Sequence, residues 1–286
     1  MPRLLVAGCG YVGQAVAKLF LANGWEVEAW TRSPESAQRL SGRPYSSRAV
    51  DLSETNQVAA HRADFDLVLH CVSTRGGDLE AYRGVYLNGA RNLLRQVCDA
   101  KLLFISSTSV YAQTDGEWVT EESQAAPETA TGKVLREAEE LVLSSCGTVV
   151  RLGGIYGPGR SALLKKFLSG KAILDLENDR FVNEIHRDDA ATAIRLLALQ
   201  SQSVGQIYNA VDNEPTLQSD SYRWLAAKLE RPAPPIGRSK SLRKRGQSNK
   251  RVSNAKLRGL GWTPRFPNFA AGMENSVLPT FARDFA

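Results

Sequence analysis

The stretch Arg3–Gly13, RLLVAGCGYVG, determines how the rest of the chain is interpreted. The apolar run Arg3–Ala7 has the length of a buried strand, and a helical pattern from about Tyr11 to Ala22 follows it. In a GxGxxG turn between a strand and a helix, the first glycine allows the tight turn, the second lets a pyrophosphate approach the backbone, and the third lets helix and strand pack closely. The helix N-terminus adds free N–H groups for phosphates. The stretch therefore predicts a dinucleotide-binding loop, with cofactor contacts at Gly8, Gly10, Tyr11, Val12 and Gly13. A glycine turn that serves packing alone is the alternative.

Outward from this loop, short apolar runs alternate with helical patterns over the first 150 residues. The predicted strands are Arg3–Ala7, Glu26–Trp30, Asp66–Cys71, Leu102–Ser106 and Thr148–Leu152, and the predicted helices include Tyr11–Ala22, Leu79–Asp99 and Glu128–Ser145. Continuous apolar runs are typical of parallel strands that are buried on both faces. The alternation predicts an α/β fold, a Rossmann-type doubly wound parallel sheet with right-handed crossovers.

The pattern becomes irregular after Gly153, apart from a helix at Asp188–Leu199 and a strand near Ile207–Asn209. We predict that these two elements return to the sheet. The predicted domains are an NAD(P)-binding Rossmann domain at 1–154, joined by 185–212, and a smaller C-terminal substrate lobe at 155–184 and 213–286.

The end of the second strand indicates which nucleotide binds. An acid at this position accepts hydrogen bonds from the ribose 2′-OH of NAD but repels a 2′-phosphate. Here the residues are Thr31, Arg32 and Ser33, and an arginine can bind a phosphate through two hydrogen bonds. We therefore expect NADP(H) to be preferred, with NAD(H) the second choice; a solvated loop charge is the alternative for Arg32. Further cofactor contacts are predicted after the next strands, at Asp51, Leu52, Cys71, Val72 and Ser73. Asp51 would bind the adenine amino group or cap the following helix.

Charge and cysteine content exclude several classes of protein. The net charge is +6, but nine Lys/Arg and no Asp/Glu fall within Arg238–Arg258, so the basicity is local. We predict no nucleic-acid partner. The four cysteines form no CxxC motif, so neither zinc nor a disulfide framework is indicated, and a cytoplasmic protein without a membrane segment is expected. Cys71 is either a redox thiol or, as we favour, an inert one.

Three further motifs carry a resemblance. They are LFISSTSVYA at Leu103–Ala112, Lys133 in a helix, and IYGP at Ile155–Pro158. Together they resemble the extended short-chain dehydrogenase/reductase superfamily of the NAD(P)-dependent epimerase/dehydratase type, over almost the whole chain. The resemblance implies that Ser107 is the catalytic Ser/Thr, that Lys133 is the lysine of YxxxK, and that Tyr156 borders the substrate pocket.

The chain departs from the family pattern at important positions. Thr129 stands four residues before Lys133, where the family has its catalytic tyrosine, and Tyr86 replaces a cofactor-side asparagine. The glycine loop is GxGxxG rather than GxxGxxG. These departures resemble the atypical branch of the superfamily. A threonine hydroxyl is far less acidic than a phenol, whose pKa is about 10, so Thr129 cannot act as a base at neutral pH. Tyr111, Tyr156 and His186 are the candidate replacements and the predicted substrate contacts. We favour a packing role for Tyr111, and a strand cap or a ribose contact is favoured over chemistry for His186.

The resemblance implies hydride transfer at a carbonyl or alcohol carbon of a small anionic or nucleotide-sugar-like substrate. A non-catalytic redox sensor that binds NADP(H) is the alternative. Arg251 is predicted to clamp an anion, with Lys240–Arg245 as a rim of the pocket. The sequence leaves a homodimer open and does not determine the oligomeric state.

Overall fold

The computed structural model describes residues 1–61, 63–74, 76–96, 100–238 and 248–283. Contacts divide the chain into two compact units. Unit one comprises Met1–Val110, Ala125–Arg151 and Ala191–Tyr208, and unit two comprises Tyr111–Gln124, Leu152–Ala190 and Asn209–Ala286. The sequence-based boundaries put 111–124 in the first domain. The structure groups this segment with unit two, because Trp118–Val119 forms a parallel pair with Arg251–Val252.

A seven-stranded sheet has the order β11-β7-β5-β4-β1-β2-β3. Its strands are β1 (Arg3–Ala7), β2 (Glu26–Thr31), β3 (Ser46–Ala49), β4 (Leu67–His70), β5 (Lys101–Ser107), β7 (Thr148–Leu152) and β11 (Ile207–Ala210). β1 pairs in parallel with both β2 and β4, so the order of strand addition reverses at β1. Parallel strands leave a crevice at their carboxyl ends where the order reverses, and ligands bind there. The predicted doubly wound fold is confirmed.

The helices of unit one follow the predicted pattern. They are α1 (Tyr11–Ala22), α2 (Pro34–Gln38), α3 (Thr55–Ala59), α4 (Leu79–Tyr82), α5 (Gly89–Gln96), α6 (Ala130–Ser144) and most of α8 (Arg187–Leu199). Ser33 caps α2 by accepting the Ser36 N–H, and Pro34 follows it at the first helical position, as predicted. Between α4 and α5, Arg83–Asn88 forms a π-helical turn within one continuous helix.

Unit two is built from short elements around its own apolar core. They are β6 (Trp118–Val119), β8 (Gly154–Tyr156), α7 (Ala162–Leu168), β9 (Phe181–Val182), β10 (Glu184–His186), β12 (Thr216–Leu217), α9 (Gln218–Lys228), β13 (Arg251–Val252), α10 (Ala255–Gly259), α11 (Phe269–Gly272) and α12 (Leu278–Arg283). Side chains from α7, α9 and α11 form a buried cluster with Tyr156. Within the described residues, no helix has the length and apolarity that a membrane span requires.

Candidate dinucleotide and active site

The glycines of the loop after β1 divide into two kinds. Gly8 has a φ of +95°, and a Cβ there would lie 2.6 Å from the backbone carbonyl carbon of Cys71. A Cβ on Gly13 would lie 2.8 Å from the Gly8 oxygen. Both positions therefore require glycine for the turn and for the packing of β1, α1 and the end of β4.

Gly10 is different, because the protein itself places almost nothing beside it. The closest atom to a Cβ on Gly10 would be the Gly8 oxygen, at 4.0 Å. Gly10 is also the N-cap of α1 and offers no side chain to the first turn, where Ser, Asp or Asn would stabilise the helix. The loop thus presents an open, positively polarised helix terminus of the kind that binds a pyrophosphate. The residues present fit a dinucleotide cofactor.

The tip of β2 carries the residues predicted to choose the nucleotide. Thr31 Oγ1 donates to the Ser33 carbonyl at 3.4 Å, and Ser33 caps α2, so both side chains serve the local turn. Arg32 between them is exposed. Of the three predicted residues, Arg32 is therefore the one whose side chain is directed to solvent and available to a ligand.

Asp51 makes the contacts of the turn that starts the next helix. Its Oδ1 accepts hydrogen bonds from the Ser53 N–H at 3.0 Å and from Ser53 Oγ at 2.7 Å. These bonds close a turn ahead of α3, whose N-cap is Glu54 without a side-chain cap, so the helix-cap alternative is not what Asp51 provides, and the adenine contact stays a prediction. Leu52 is buried, and its carbonyl accepts a hydrogen bond from Asn92.

Two cysteines lie at the glycine loop, Cys9 within it and Cys71 at the end of β4. Burial raises the pKa of Cys71 to about 12, an effect that a hydrogen bond from the Gly13 backbone partly offsets. Burial also raises the pKa of Cys9 to about 11. Both thiols are protonated at neutral pH, and the thiolate is the reactive form, so the inert interpretation of Cys71 is favoured. Val72 packs against Gly8, since its Cγ1 would lie 2.6 Å from a Cβ there. Ser73 follows in the same loop.

The predicted catalytic residues are not joined to one another by contacts of the described residues. Ser107 ends β5, and its Oγ accepts the Ser109 N–H at 3.2 Å. Thr129 is the N-cap of α6, and its Oγ1 accepts the Gly132 N–H at 3.2 Å. Lys133 lies on the exposed side of α6. The structure therefore gives Thr129 a local structural task.

The inward face of α6 carries a different pair four residues apart. Leu135 is buried, and the buried Ala138, Glu139 and Val142 continue its face toward the C-terminus. Thr131, four residues before Leu135, shares that face. Lys133 is two residues from Thr131, which is roughly 200° around a helix of 3.6 residues per turn. Near the start of α6, the inward-facing positions Thr131 and Leu135 thus carry no group that titrates near neutral pH, whereas Glu139 further along the same face is ionisable and pairs with Arg151.

Three residues predicted to reach substrate are buried in unit two and engaged with protein groups. Tyr111 donates to Asn209 Oδ1 at 2.9 Å, and Tyr156 donates to the Asn268 carbonyl at 3.3 Å. His186 Nε2 lies 3.0 Å from Ser276 Oγ, while its Nδ1 accepts the Asp188 N–H. Burial lowers the pKa of His186 to about 4, so the ring is neutral. These positions favour roles in packing over contact with substrate.

Arg251 lies between two aromatic rings of unit two. Its guanidinium carbon is 5.3 Å from the centroid of Trp118 and 5.0 Å from that of Phe181, and its Nε donates to the Gly116 carbonyl at 2.7 Å. The anion clamp therefore stays a prediction. Because Nε is bonded to Gly116, an anion would have to bind to the two terminal nitrogens of the Arg251 guanidinium. The predicted rim, Lys240–Arg245, lies outside the described residues.

One residue beside the loop was missed by sequence reasoning. Tyr45 Oη lies 3.9 Å from Cys9 Sγ, although 36 positions separate them. No motif marks Tyr45, because its place depends on how the connection between α2 and β3 folds back toward the loop.

Comparison with known proteins places this geometry among related chains. Residues 4–210 match the profile of the NAD dependent epimerase/dehydratase family. Protein YeeZ of Escherichia coli (strain K12) is 31% identical over 220 residues, which cover 73% of this chain and 77% of YeeZ. A solved structure from Methylobacillus flagellatus, named as an NAD-dependent epimerase/dehydratase, has a TM-score of 0.78 and 28% identity, covering 98% of this chain and 99% of that one.

A more distant structure shares the fold. UDP-glucuronic acid 4-epimerase from Bacillus cereus, solved with UDP-glucuronic acid and NAD, has a TM-score of 0.80 at 18% identity. The match covers 98% of this chain and 99% of the epimerase.

Proposed function

Because this chain belongs to the NAD dependent epimerase/dehydratase family, we propose that it is an oxidoreductase that binds NADP(H) in preference to NAD(H). Its reaction is hydride transfer at a carbonyl or alcohol carbon of a small anionic or nucleotide-sugar-like substrate. The observation that carries the proposal is the open position of Gly10, which the fold leaves unfilled at the N-terminus of α1.

Different residues of unit one would bind the cofactor and the substrate in such a site. The glycine loop binds the pyrophosphate, and Arg32 at the tip of β2 faces the adenosine ribose. The nicotinamide, when bound, supplies the hydride acceptor or donor. Ser107, at the carboxyl end of β5, donates a hydrogen bond to the substrate oxygen whose charge changes in the reaction.

The proton that accompanies the hydride needs a donor or acceptor other than Thr129. The hydroxyl of Thr129 caps α6, and an aliphatic hydroxyl is too weak an acid to replace a phenol. Solvent water can exchange this proton in a slow enzyme. A positioned acid or base contributes roughly 10²- to 10⁴-fold in rate, so we expect low turnover numbers.

A second function is favoured by the inward face of α6. Thr129, at the position of the catalytic tyrosine, caps the helix, and Thr131 and Leu135 on the inward face near its start cannot transfer protons, so this part of α6 offers no titratable partner for Lys133. A dinucleotide-binding sensor needs the glycine loop but no proton donor. Fold does not decide between these functions.

Calorimetric titration of NADPH and NADH tests binding, with Gly10→Ala as the matched variant. We expect Gly10→Ala to lose at least about tenfold in affinity, because its methyl group occupies the space of the pyrophosphate. Its melting temperature should stay within about 2 °C of the unsubstituted protein, since the Gly8 oxygen, at 4.0 Å, is the nearest atom to the new Cβ. Equal affinity in the two proteins would contradict the assignment of the loop.

Oxidation of NADPH with a panel of carbonyl substrates separates the two functions. If the protein is an enzyme, we expect turnover on at least one substrate, and Ser107→Ala should reduce it by about 10²-fold or more without changing nucleotide affinity. Lys133→Met measured beside it reports whether an exposed lysine takes part. Nucleotide binding with no turnover on any substrate favours the sensor.

A further inference from the structure

The connection between α2 and β3 reaches the glycine loop through one side chain. Tyr45, immediately before β3, is half-buried, and its Oη lies 3.9 Å from the thiol of Cys9. Cys9 is buried between the first two glycines of the loop. Tyr45 therefore stands beside the dinucleotide loop, on the β2–β3 side of β1, where the adenosine half of a bound dinucleotide lies.

The Tyr45 hydroxyl has a proton to donate. Among the described residues, its hydrogen-bond contact is the thiol of Cys9, whose sulfur lies 3.9 Å from Oη and is only a weak donor and acceptor. Burial raises the pKa of Tyr45 above its ordinary value, so the phenol is neutral and protonated. A half-buried O–H group with so weak a partner is suited to a ligand that brings acceptor oxygens.

Positive charge accompanies this hydroxyl. Arg43, two residues before Tyr45, is exposed, and its charge acts on both neighbours: it partly offsets the effect of burial on the pKa values of Tyr45 and Cys9. Arg32, at the tip of β2, is exposed as well. Neither arginine has an ion-pair partner among the described residues.

Other arginines of this region are engaged with the protein. Arg39 donates to the Glu35 carbonyl and to Ser36 Oγ, and Arg48 pairs with Glu28 at 2.8 Å. Glu35, an acid of α2, has its pKa lowered first by a hydrogen bond with Ser33. Arg39 and Arg48 thus have partners within the protein, whereas Arg32 and Arg43 have no ion-pair partner among the described residues and can pair with a ligand.

We propose that Arg43 and Tyr45 bind the 2′-phosphate of NADP(H) together with Arg32. The inference rests on the proposed dinucleotide binding and names residues that determine its preference. A phosphate monoester carries close to two negative charges at pH 7 and offers three acceptor oxygens. A guanidinium binds two of these oxygens at once, and the phenol can donate to the third. NAD(H) lacks this phosphate and would gain nothing from Arg43.

Calorimetric titrations of NADPH and NADH, and of the fragments 2′,5′-ADP and ADP, test the proposal. The variants are Arg43→Gln and Tyr45→Phe, with Arg39→Gln as the matched control on the same segment. We expect Arg43→Gln to weaken NADPH and 2′,5′-ADP by about 10- to 100-fold. NADH and ADP should change by less than about twofold, and Tyr45→Phe should show a smaller loss with the same selectivity. Arg39→Gln should leave all four ligands unchanged.

The outcomes distinguish this inference from the function on which it rests. If the unsubstituted protein binds neither nucleotide, both fail. If it binds NADH more tightly than NADPH, the 2′-phosphate site and the stated preference fail, while dinucleotide binding stands. If it prefers NADPH but Arg43→Gln leaves that preference intact, or weakens both nucleotides equally, only the roles of Arg43 and Tyr45 are wrong.

Discussion

Glu139 lies fully buried in α6 and neutralises a fully buried arginine. It accepts hydrogen bonds from Arg151 Nε at 3.0 Å and Nη2 at 2.7 Å, and further bonds from Ser106 and Arg136. Arg151 is 1% exposed. Glu139→Leu would leave the Arg151 guanidinium without a counter-charge in the interior, and this lowers the free energy of unfolding by about 3–5 kcal/mol. Urea denaturation of the variant and the unsubstituted protein measures this difference.

The neighbouring Glu140 is the control for that measurement. It pairs with Arg136 at 3.0 Å but is 65% exposed, and exposed ion pairs contribute only about 0–1 kcal/mol. Glu140→Gln should therefore change the free energy of unfolding by less than about 0.5 kcal/mol. Similar losses in the two variants would mean that burial does not set the strength of the Glu139 pair.

At the scale of single residues, the sequence predicted the glycine loop but not its surroundings. Gly8, Gly10 and Gly13 are recognisable because their spacing reflects local geometry. Tyr45 is not, because its contact with Cys9 depends on tertiary structure. Burial also changes chemical character without leaving a mark in the sequence, as the neutral ring of His186 shows.

The N-terminus of α6 is an element whose start depends on Thr129. Its Oγ1 accepts the Gly132 N–H, one of the first-turn donors that the helix itself cannot satisfy. We expect Thr129→Ala to lower the free energy of unfolding by about 1 kcal/mol, while Thr129→Ser loses little. Both variants should bind NADPH as the unsubstituted protein does, because no hydrogen bond among the described residues joins the Thr129 side chain to the glycine loop.

Turnover measured on the same pair of variants separates the cap from a catalytic role. A hydroxyl that takes part in chemistry would give Thr129→Ala a rate loss far beyond its loss of stability. Comparable rates in folded Thr129→Ala and unsubstituted protein are the result that we expect.

Elements were predictable in type and approximate length, but not in their irregularities. The helix predicted at Leu79–Asp99 is present from Leu79 to Gln96, with a π turn at Arg83–Asn88 in its middle. His70 Nε2 lies 3.1 Å from the Val85 carbonyl within this turn. Helix propensity describes neighbours along the chain, whereas this contact comes from β4, so no local pattern could reveal it.

Over the whole molecule, buried carboxyl groups should make stability depend on pH. Burial raises the pKa of Glu184 from its ordinary 4.5 to about 8, and the pKa of Asp212 is raised in the same direction, first by burial. Between pH 4.5 and 8, Glu184 is ionised in the unfolded chain but protonated in the folded protein, so unfolding releases a proton. The stabilisation is complete below pH 4.5 and is lost as the pH rises through 8.

Other groups titrate between pH 6.5 and 8 as well. His70 and His186 have pKa values lowered from 6.5 to about 4, and Lys101 and Lys250 have theirs lowered from 10.5 to about 8, so all four oppose the effect of Glu184. The test is therefore a comparison of variants, in which we expect Glu184 to make the slope of the free energy of unfolding against pH more negative by up to about 1.4 kcal/mol per pH unit. Glu184→Gln should reduce this slope, and the exposed Glu177→Gln should not. An unchanged slope in Glu184→Gln would show that its carboxyl is ionised in the folded protein.

The overall architecture was the most predictable level, because strand burial and right-handed crossovers leave few topologies for this alternation. The family resemblance drawn from Ser107 and the IYGP segment is also confirmed. The division into units was less accessible, since Trp118–Val119 joins unit two through a pairing with residues far along the chain.

The unfilled space beside Gly10 makes the identity of this residue an indicator of nucleotide binding. Folding alone would reward a serine or asparagine there, because a capping side chain stabilises α1 and meets no obstacle. Gly8 and Gly13 would persist in a chain that had stopped binding nucleotides, since the backbone needs them. A descendant without a ligand would be expected to lose glycine at position 10 first. Its presence here is what a chain still selected for binding would show.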